Sequence, residues 1–178
     1  MTRSQAVSLL ILFTFAFTCP AASYADELDV LSDQMRTHIL SADDDVETAL
    51  QLRDKLQEDG TWASVDYEDQ TRGGWKTYAH LANLGAMVRL REQTDSEYAE
   101  DEALRAAIFL ALDHWLAKDY RNPNWWYNDI GVPMALADIV FLINDELTPD
   151  QREKALAILR RATFAQTGQN SIWRAGIT

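Results

Sequence analysis

The stretch Asn122-Pro123-Asn124-Trp125-Trp126-Tyr127-Asn128-Asp129-Ile130-Gly131-Val132-Pro133 decides how this chain is read. Trp125, Trp126 and Tyr127 stand side by side among prolines, a glycine and Asn or Asp residues. Such a composition breaks helices and supplies turns and caps, so the rings are expected on a loop between two helices. Flat aromatic faces beside amide side chains suit a sugar, since a pyranose offers C–H groups for stacking and hydroxyls for hydrogen bonds. The same rings could instead plug one end of the fold as a hydrophobic cap.

On the C-terminal side of this stretch, Pro133 suits a first helical turn, and Met134 to Ile143 is apolar almost all round, as expected for a helix buried on several sides. Thr148-Pro149-Asp150-Gln151 reads as a capping box opening a helix to about Thr163, with Ala155, Leu156 and Leu159 on its core side. Thr167-Gly168-Gln169-Asn170 is expected to break that helix. On the N-terminal side, helical spacing predicts a helix from about Asp101 to Lys118 that buries Leu104, Ile108, Ala111, Leu112 and Trp115. Another, from about Thr77 to Gln93, buries Leu81, Leu84 and Val88. Gly60 to Gly74 forms a second aromatic-rich loop, with Trp62, Tyr67 and Arg72.

Further back, Leu28, Leu31, Met35 and Ile39 follow helical spacing over Glu27 to Leu40, with Asp26 as cap. Val46, Leu50 and Leu56 mark one more stripe, and Asp43, Asp44 and Asp45 suit the positive end of its dipole better than they suit a metal. No stretch alternates apolar and polar residues, and no two-residue hairpin turn joins β-like runs. The fold class is all-α, built of consecutive antiparallel helix hairpins. Long aromatic loops that keep returning are unusual for a plain bundle, whose connections are short.

At 178 residues the chain fits one domain, and 47% hydrophobic with 25% charged residues excludes a disordered tail. A net charge of -12 argues against nucleic acid, which recruits basic faces. An acidic ligand would have to meet a local basic cluster. Residues 1–25 read as a secretory signal peptide: Arg3, an apolar run from Val7 to Phe17, and a small-x-small site at Ser23-Tyr24-Ala25. The mature chain then starts at Asp26, is secreted to the periplasm or beyond, and contains no run of the ~20 apolar residues that a membrane span needs. Cys19, the only cysteine, falls in the signal, so no disulfide is expected.

His38, His80 and His114 lie on different predicted helices without a partner at metal-ligand spacing, so no metal site is expected. His80 and His114 read as packing or capping residues. There is no phosphate-cradling loop or nucleophile elbow, and carboxylates are too many for any pair to be singled out.

Asn124 to Pro133, together with Asp59-Gly60-Thr61-Trp62, Asp66-Tyr67 and Thr167-Gly168-Gln169-Asn170, resembles polysaccharide lyase family 8, the family of chondroitin AC, hyaluronate and xanthan lyases. The resemblance runs from about Leu50 to the end. Its specific part is Asn-Trp-Trp followed by Ile-Gly-x-Pro. It implies a helical (α/α) toroid whose loops line a cleft for an acidic polysaccharide such as chondroitin, hyaluronan or a xanthan-like polymer; no motif in the sequence calls for a cofactor, and none is expected. Trp125 and Trp126, with Asn124, match the family's substrate-binding aromatic patch. Asn170 falls on the catalytic asparagine of its Thr-Gly-Ala-Asn motif, with Gln169 in place of alanine.

An asparagine suits that chemistry: β-elimination removes the proton at C5 of a uronic acid, and an amide donor beside the carboxylate stabilises the charge that develops. The proton then needs a His or Tyr base. In the family that base, an arginine and the β-sheet domains follow the asparagine. Residues 26–178 therefore resemble a truncated N-terminal part of the toroid domain, expected to be inactive alone. Activity of this stretch would direct the search for a base to Tyr67, His80 and Tyr127. Two other readings stand beside the lyase: a secreted all-α carbohydrate-binding module without catalysis, and a helical-repeat scaffold with a buried Trp pair.

Overall fold

The computed structural model describes residues 24–42, 44–163 and 168–175. Among the described residues seven α-helices carry the fold: α1 (Tyr24–Leu40), α2 (Val46–Asp54), α3 (Ala79–Glu92), α4 (Glu102–Lys118), α5 (Val132–Leu142), α6 (Pro149–Leu159) and α7 (Gln169–Ala175). Among the described residues no strand forms, and Leu56 and Trp62 make an isolated antiparallel bridge. The all-α reading holds.

Helix α3 lies at the centre, packed on α2, α4 and α5, while α6 covers α4 and α5. The apolar periodicity of α3 and α4 explains this placement: Leu84, Met87, Val88, Leu104, Ile108, Ala111, Leu112 and Trp115 are all 0% exposed. Each large side chain so buried contributes about 1.5 to 3 kcal/mol relative to exposure. Val132, Leu136, Ile139 and Leu142 bury α5 in the same core.

Helix ends follow local chemistry. Asp45 caps α2 by accepting the Thr48 N–H at 2.9 Å, Asp101 caps α4 through the N–H groups of Ala103 and Leu104, and Thr148 with Gln151 completes the expected capping box of α6. Of the acidic triplet, Asp44 pairs with Arg89 and Asp43 lies outside the described residues.

Several expectations are corrected. Helix α1 already includes Tyr24, so Asp26 sits inside it and not at its cap. Only Ile39 of its apolar series is buried, Leu28, Leu31 and Met35 being 61%, 52% and 38% exposed, because α1 meets the core near its C-terminal end. There Arg36 bonds Glu92 at 2.6 Å and the Gln93 amide donates to the Leu40 carbonyl. Helix α2 stops at Asp54, leaving Leu56 to the bridge. Helix α6 ends at Leu159, and its core side is Ala155 and Ile158, with Leu156 41% exposed. Gln169 and Asn170 open α7 instead of breaking a helix.

Candidate functional site

The aromatic stretch is sewn together by its own amides. The Asn122 Oδ1 accepts the Asn124 N–H at 2.8 Å, and Asn128 both accepts the Asn122 N–H and donates to the Asn122 carbonyl. Asn124 Oδ1 accepts the Trp126 N–H at 3.1 Å, which caps the turn that follows. These side chains also reach the second loop: Asn122 Nδ2 donates to the Thr71 carbonyl at 3.0 Å and Asn124 Nδ2 to the Arg72 carbonyl at 2.8 Å. Asn124 thus ties two loops together with the amide that resemblance would give to substrate.

The rings do not ride on a loop. Trp125 and Trp126 open a helical turn that widens into a π-helix, Tyr127–Gly131, and runs directly into α5. Tertiary hydrogen bonds support the widened turn: the Tyr127 hydroxyl accepts the Trp75 N–H at 3.2 Å, and the Tyr78 hydroxyl donates to the Gly131 carbonyl at 3.0 Å. Single π-turns of this kind recur at functional sites. Trp125 is 43% exposed, whereas Trp126 and Tyr127 are half-buried. The Trp126 ring meets Tyr127 edge-on at 5.3 Å and Trp173 of α7 edge-on at 5.8 Å.

That last contact brings the predicted residues to one end of the molecule. Asn170, half-buried, stands three residues before Trp173 on α7, and positions three apart share a helix face. The reading of the sequence missed Trp173; its spacing from Asn170 was the available signal.

The second aromatic loop is core. Trp62 and Trp75 are 1% and 4% exposed, and their indole N–H groups donate to the carbonyls of Leu52 and Asp69. Gly60 takes φ +80°, and a Cβ there would sit 2.5 Å from the Leu110 carbonyl oxygen, which is why the Asp-Gly-x-Trp motif needs glycine. The Asp66 carbonyl accepts the Thr77 hydroxyl, closing the loop on its far side.

Tyr67 and His80 sit beneath it. The Trp62 N–H donates to the Tyr67 hydroxyl at 3.1 Å, and His80 faces the Ala111 carbonyl at 2.9 Å through Nε2. A carbonyl only accepts, so Nε2 carries the proton and the Tyr67 hydroxyl donates to Nδ1 at 3.0 Å. Burial holds the His80 ring neutral, its pKa lowered to about 4, and pushes Tyr67 up to about 12. By the same logic His114 donates from Nδ1 to the Asp59 carbonyl and accepts the Tyr120 hydroxyl at Nε2. His80 and His114 are thus both held by a main-chain carbonyl and a tyrosine hydroxyl, and the Tyr67 and Tyr127 hydroxyls each accept a tryptophan backbone N–H.

Among the described residues no group of three His, Cys, Asp or Glu could hold a metal, and no helix is long and apolar enough to cross a membrane. Concave surfaces lie elsewhere, along α6 near Leu147, Arg152 and Arg160 and along α1 near Val30, Thr37 and Ser41.

Residues 19–174 match the family described as polysaccharide lyase family 8, N terminal alpha-helical domain, and the chain belongs to that family. Chondroitinase-AC of Pedobacter heparinus is 33% identical over 88 residues, which are 49% of this chain and 13% of that protein. A solved chondroitinase AC lyase superposes with a TM-score of 0.66 at 23% identity, covering 82% of this chain and 23% of the other. Xanthan lyase of Paenibacillus superposes at 0.59 and 24% identity over 87% of this chain and 17% of its own. The chain thus spans well under a quarter of the curated relative it matches.

Proposed function

We propose that this chain supplies the sugar-binding and carboxylate-neutralising part of the N-terminal helical domain of a lyase that cleaves uronic-acid-containing polysaccharide by β-elimination. The observation that carries the reading is the contact between Trp126 and Trp173, by which the turn bearing the exposed Trp125 packs against the helix bearing Asn170. In this reading Trp125 and Trp126 stack on sugar rings, Asn124 holds them in place, and the Asn170 amide donates to the uronate carboxylate as charge builds up on it. The amide is worth several kcal/mol only where water is excluded, so the rest of the helical toroid would have to close over it. The C5 proton goes to a His or Tyr supplied from outside residues 24–175. The substrate class is an acidic polymer of the chondroitin, hyaluronan or xanthan kind, met outside the cytoplasm after removal of residues 1–25.

The test is the rise in ultraviolet absorbance of the unsaturated uronate product, with protein from the complete gene acting on each of those polymers. Turnover that disappears in Asn170→Ala while polymer binding persists is the expected result. Binding without any turnover in the wild-type protein would reject the lyase and leave a carbohydrate-binding module. The 26–178 stretch alone should bind weakly and cleave nothing.

A further inference from the structure

We propose that Gly131 and Trp173 are positioning residues that clamp the Trp126 indole between them and thereby fix the sugar-stacking face against the helix that carries Asn170. The proposal rests on the lyase reading for its activity readout. Its structural readout is independent of that reading.

The first observation is an absence of need. Gly131 has φ -60° and ψ -54°, ordinary right-handed helix that any residue adopts, so the backbone there does not call for glycine. Helix propensity would favour alanine. What excludes a side chain is the indole of Trp126: a Cβ on residue 131 would lie 2.6 Å from its Cζ3 and 3.2 Å from Cε3 and Cη2. The π-turn brings these two residues into register, since a helix of i→i+5 period stacks residue 126 over residue 131.

The second observation is that the ring is held on its other sides. Tyr127 presents at 84° and Trp173 at 82°, so an indole pushed off Gly131 would have to disturb one of them. Tyr127 is itself pinned, through its hydroxyl to the Trp75 N–H and by its ring to Trp75 at 5.3 Å. Trp173 belongs to a short helix, α7, which touches the π-turn. The displacement therefore passes to α7, and Asn170 moves with it, one helical turn away on the same face. Misplacement of a positioning element by about 1 Å is enough to cost on the order of a hundredfold in rate.

The experiment uses protein from the complete gene, in a double-mutant cycle of Gly131→Ala and Trp126→Phe, with Trp173→Phe as a gentler variant in case Gly131→Ala fails to fold. Gly131→Ala should lower kcat about tenfold or more, with KM changed less than about threefold and the fraction folded unchanged. In the Trp126→Phe background, whose smaller ring leaves room for a Cβ, adding Gly131→Ala should have little further effect on kcat. The near-ultraviolet circular dichroism of the edge-on Trp126–Trp173 pair should vanish alike in Trp126→Phe and Trp173→Phe and weaken in Gly131→Ala. Additive losses in the cycle, or a near-ultraviolet spectrum that Gly131→Ala and Trp173→Phe leave intact, would overturn the clamp. A wild-type protein that eliminates no uronate polymer would sink the lyase reading instead, and the spectra would still decide for or against the clamp.

Discussion

The hydroxyl of Tyr67 carries two duties at once, accepting the Trp62 N–H and donating to His80 Nδ1. Tyr67→Phe keeps the ring and its packing but leaves a buried N–H and a buried imidazole nitrogen unpaired. Each such orphan costs about 1 to 3 kcal/mol, so the variant should unfold at clearly lower urea while keeping native helix content. A shift worth under about 0.5 kcal/mol would mean that other groups replace the hydroxyl. Gly60 is a sharper case, because positive φ and the Leu110 carbonyl both act against a side chain. Gly60→Ala should destabilise by more than the ~1 kcal/mol that conformation alone costs, measured in the same titration. These residues explain why motifs seen by resemblance need not be catalytic: Asp59 to Trp62 and Asp66 to Tyr67 shape a core loop.

Elements differ in how far the sequence exposes them. Helices α3 to α6 were legible because their apolar residues recur at the helical period and their caps are spelled by Asp101 and by Thr148 with Gln151. The π-turn was not, since it depends on hydroxyls of Tyr127 and Tyr78 meeting partners from distant parts of the chain. Pro and Asn around Trp125 signal a turn, and only tertiary support converts that turn into a helix start. The exposure of most of the apolar series of α1 was not legible for a related reason: periodicity reveals which face is apolar and says nothing of what covers it. The Trp pair and Asn170 stand out in the sequence as candidates, whereas the ties that Asn124 makes to Arg72 and Trp126 do not. Asn124→Ala should therefore act on both loops, cutting the Arg72 tie and the cap on Trp126, for a loss of about 1 to 2 kcal/mol in stability. Trp125→Ala should do the reverse, leaving stability nearly untouched while weakening polymer binding by about 1 to 3 kcal/mol. Calorimetric titration beside thermal unfolding separates the two, and a Trp125→Ala protein that unfolds early while binding normally would identify the ring as core.

On the scale of the whole molecule, one imidazole is held uncharged by burial, and this sets how the chain responds to acid. His80 is 0% exposed, between Tyr67 and the Ala111 carbonyl, with Trp62 edge-on, Trp115 tilted and His114 stacked against it. Its pKa is lowered from 6.5 to about 4 by desolvation. Between those values the unfolded chain takes up a proton that the folded chain refuses, so stability falls as pH falls from about 6.5 toward 4. A shift of that size amounts to as much as about 3 kcal/mol across the window. Carboxylates deepen the loss at still lower pH: Asp69 is held down by the Thr71 hydroxyl and Glu146 by Arg91, and protonating either removes those bonds. The two contributions separate by substitution. His80→Gln can donate its amide to the Ala111 carbonyl and accept the Tyr67 hydroxyl, yet it does not titrate. Urea midpoints measured from pH 7.5 to 4 should decline steeply in the wild-type chain and stay nearly level in His80→Gln until the carboxylates titrate. Parallel declines in both proteins would show that His80 is not the group through which acid loosens the fold.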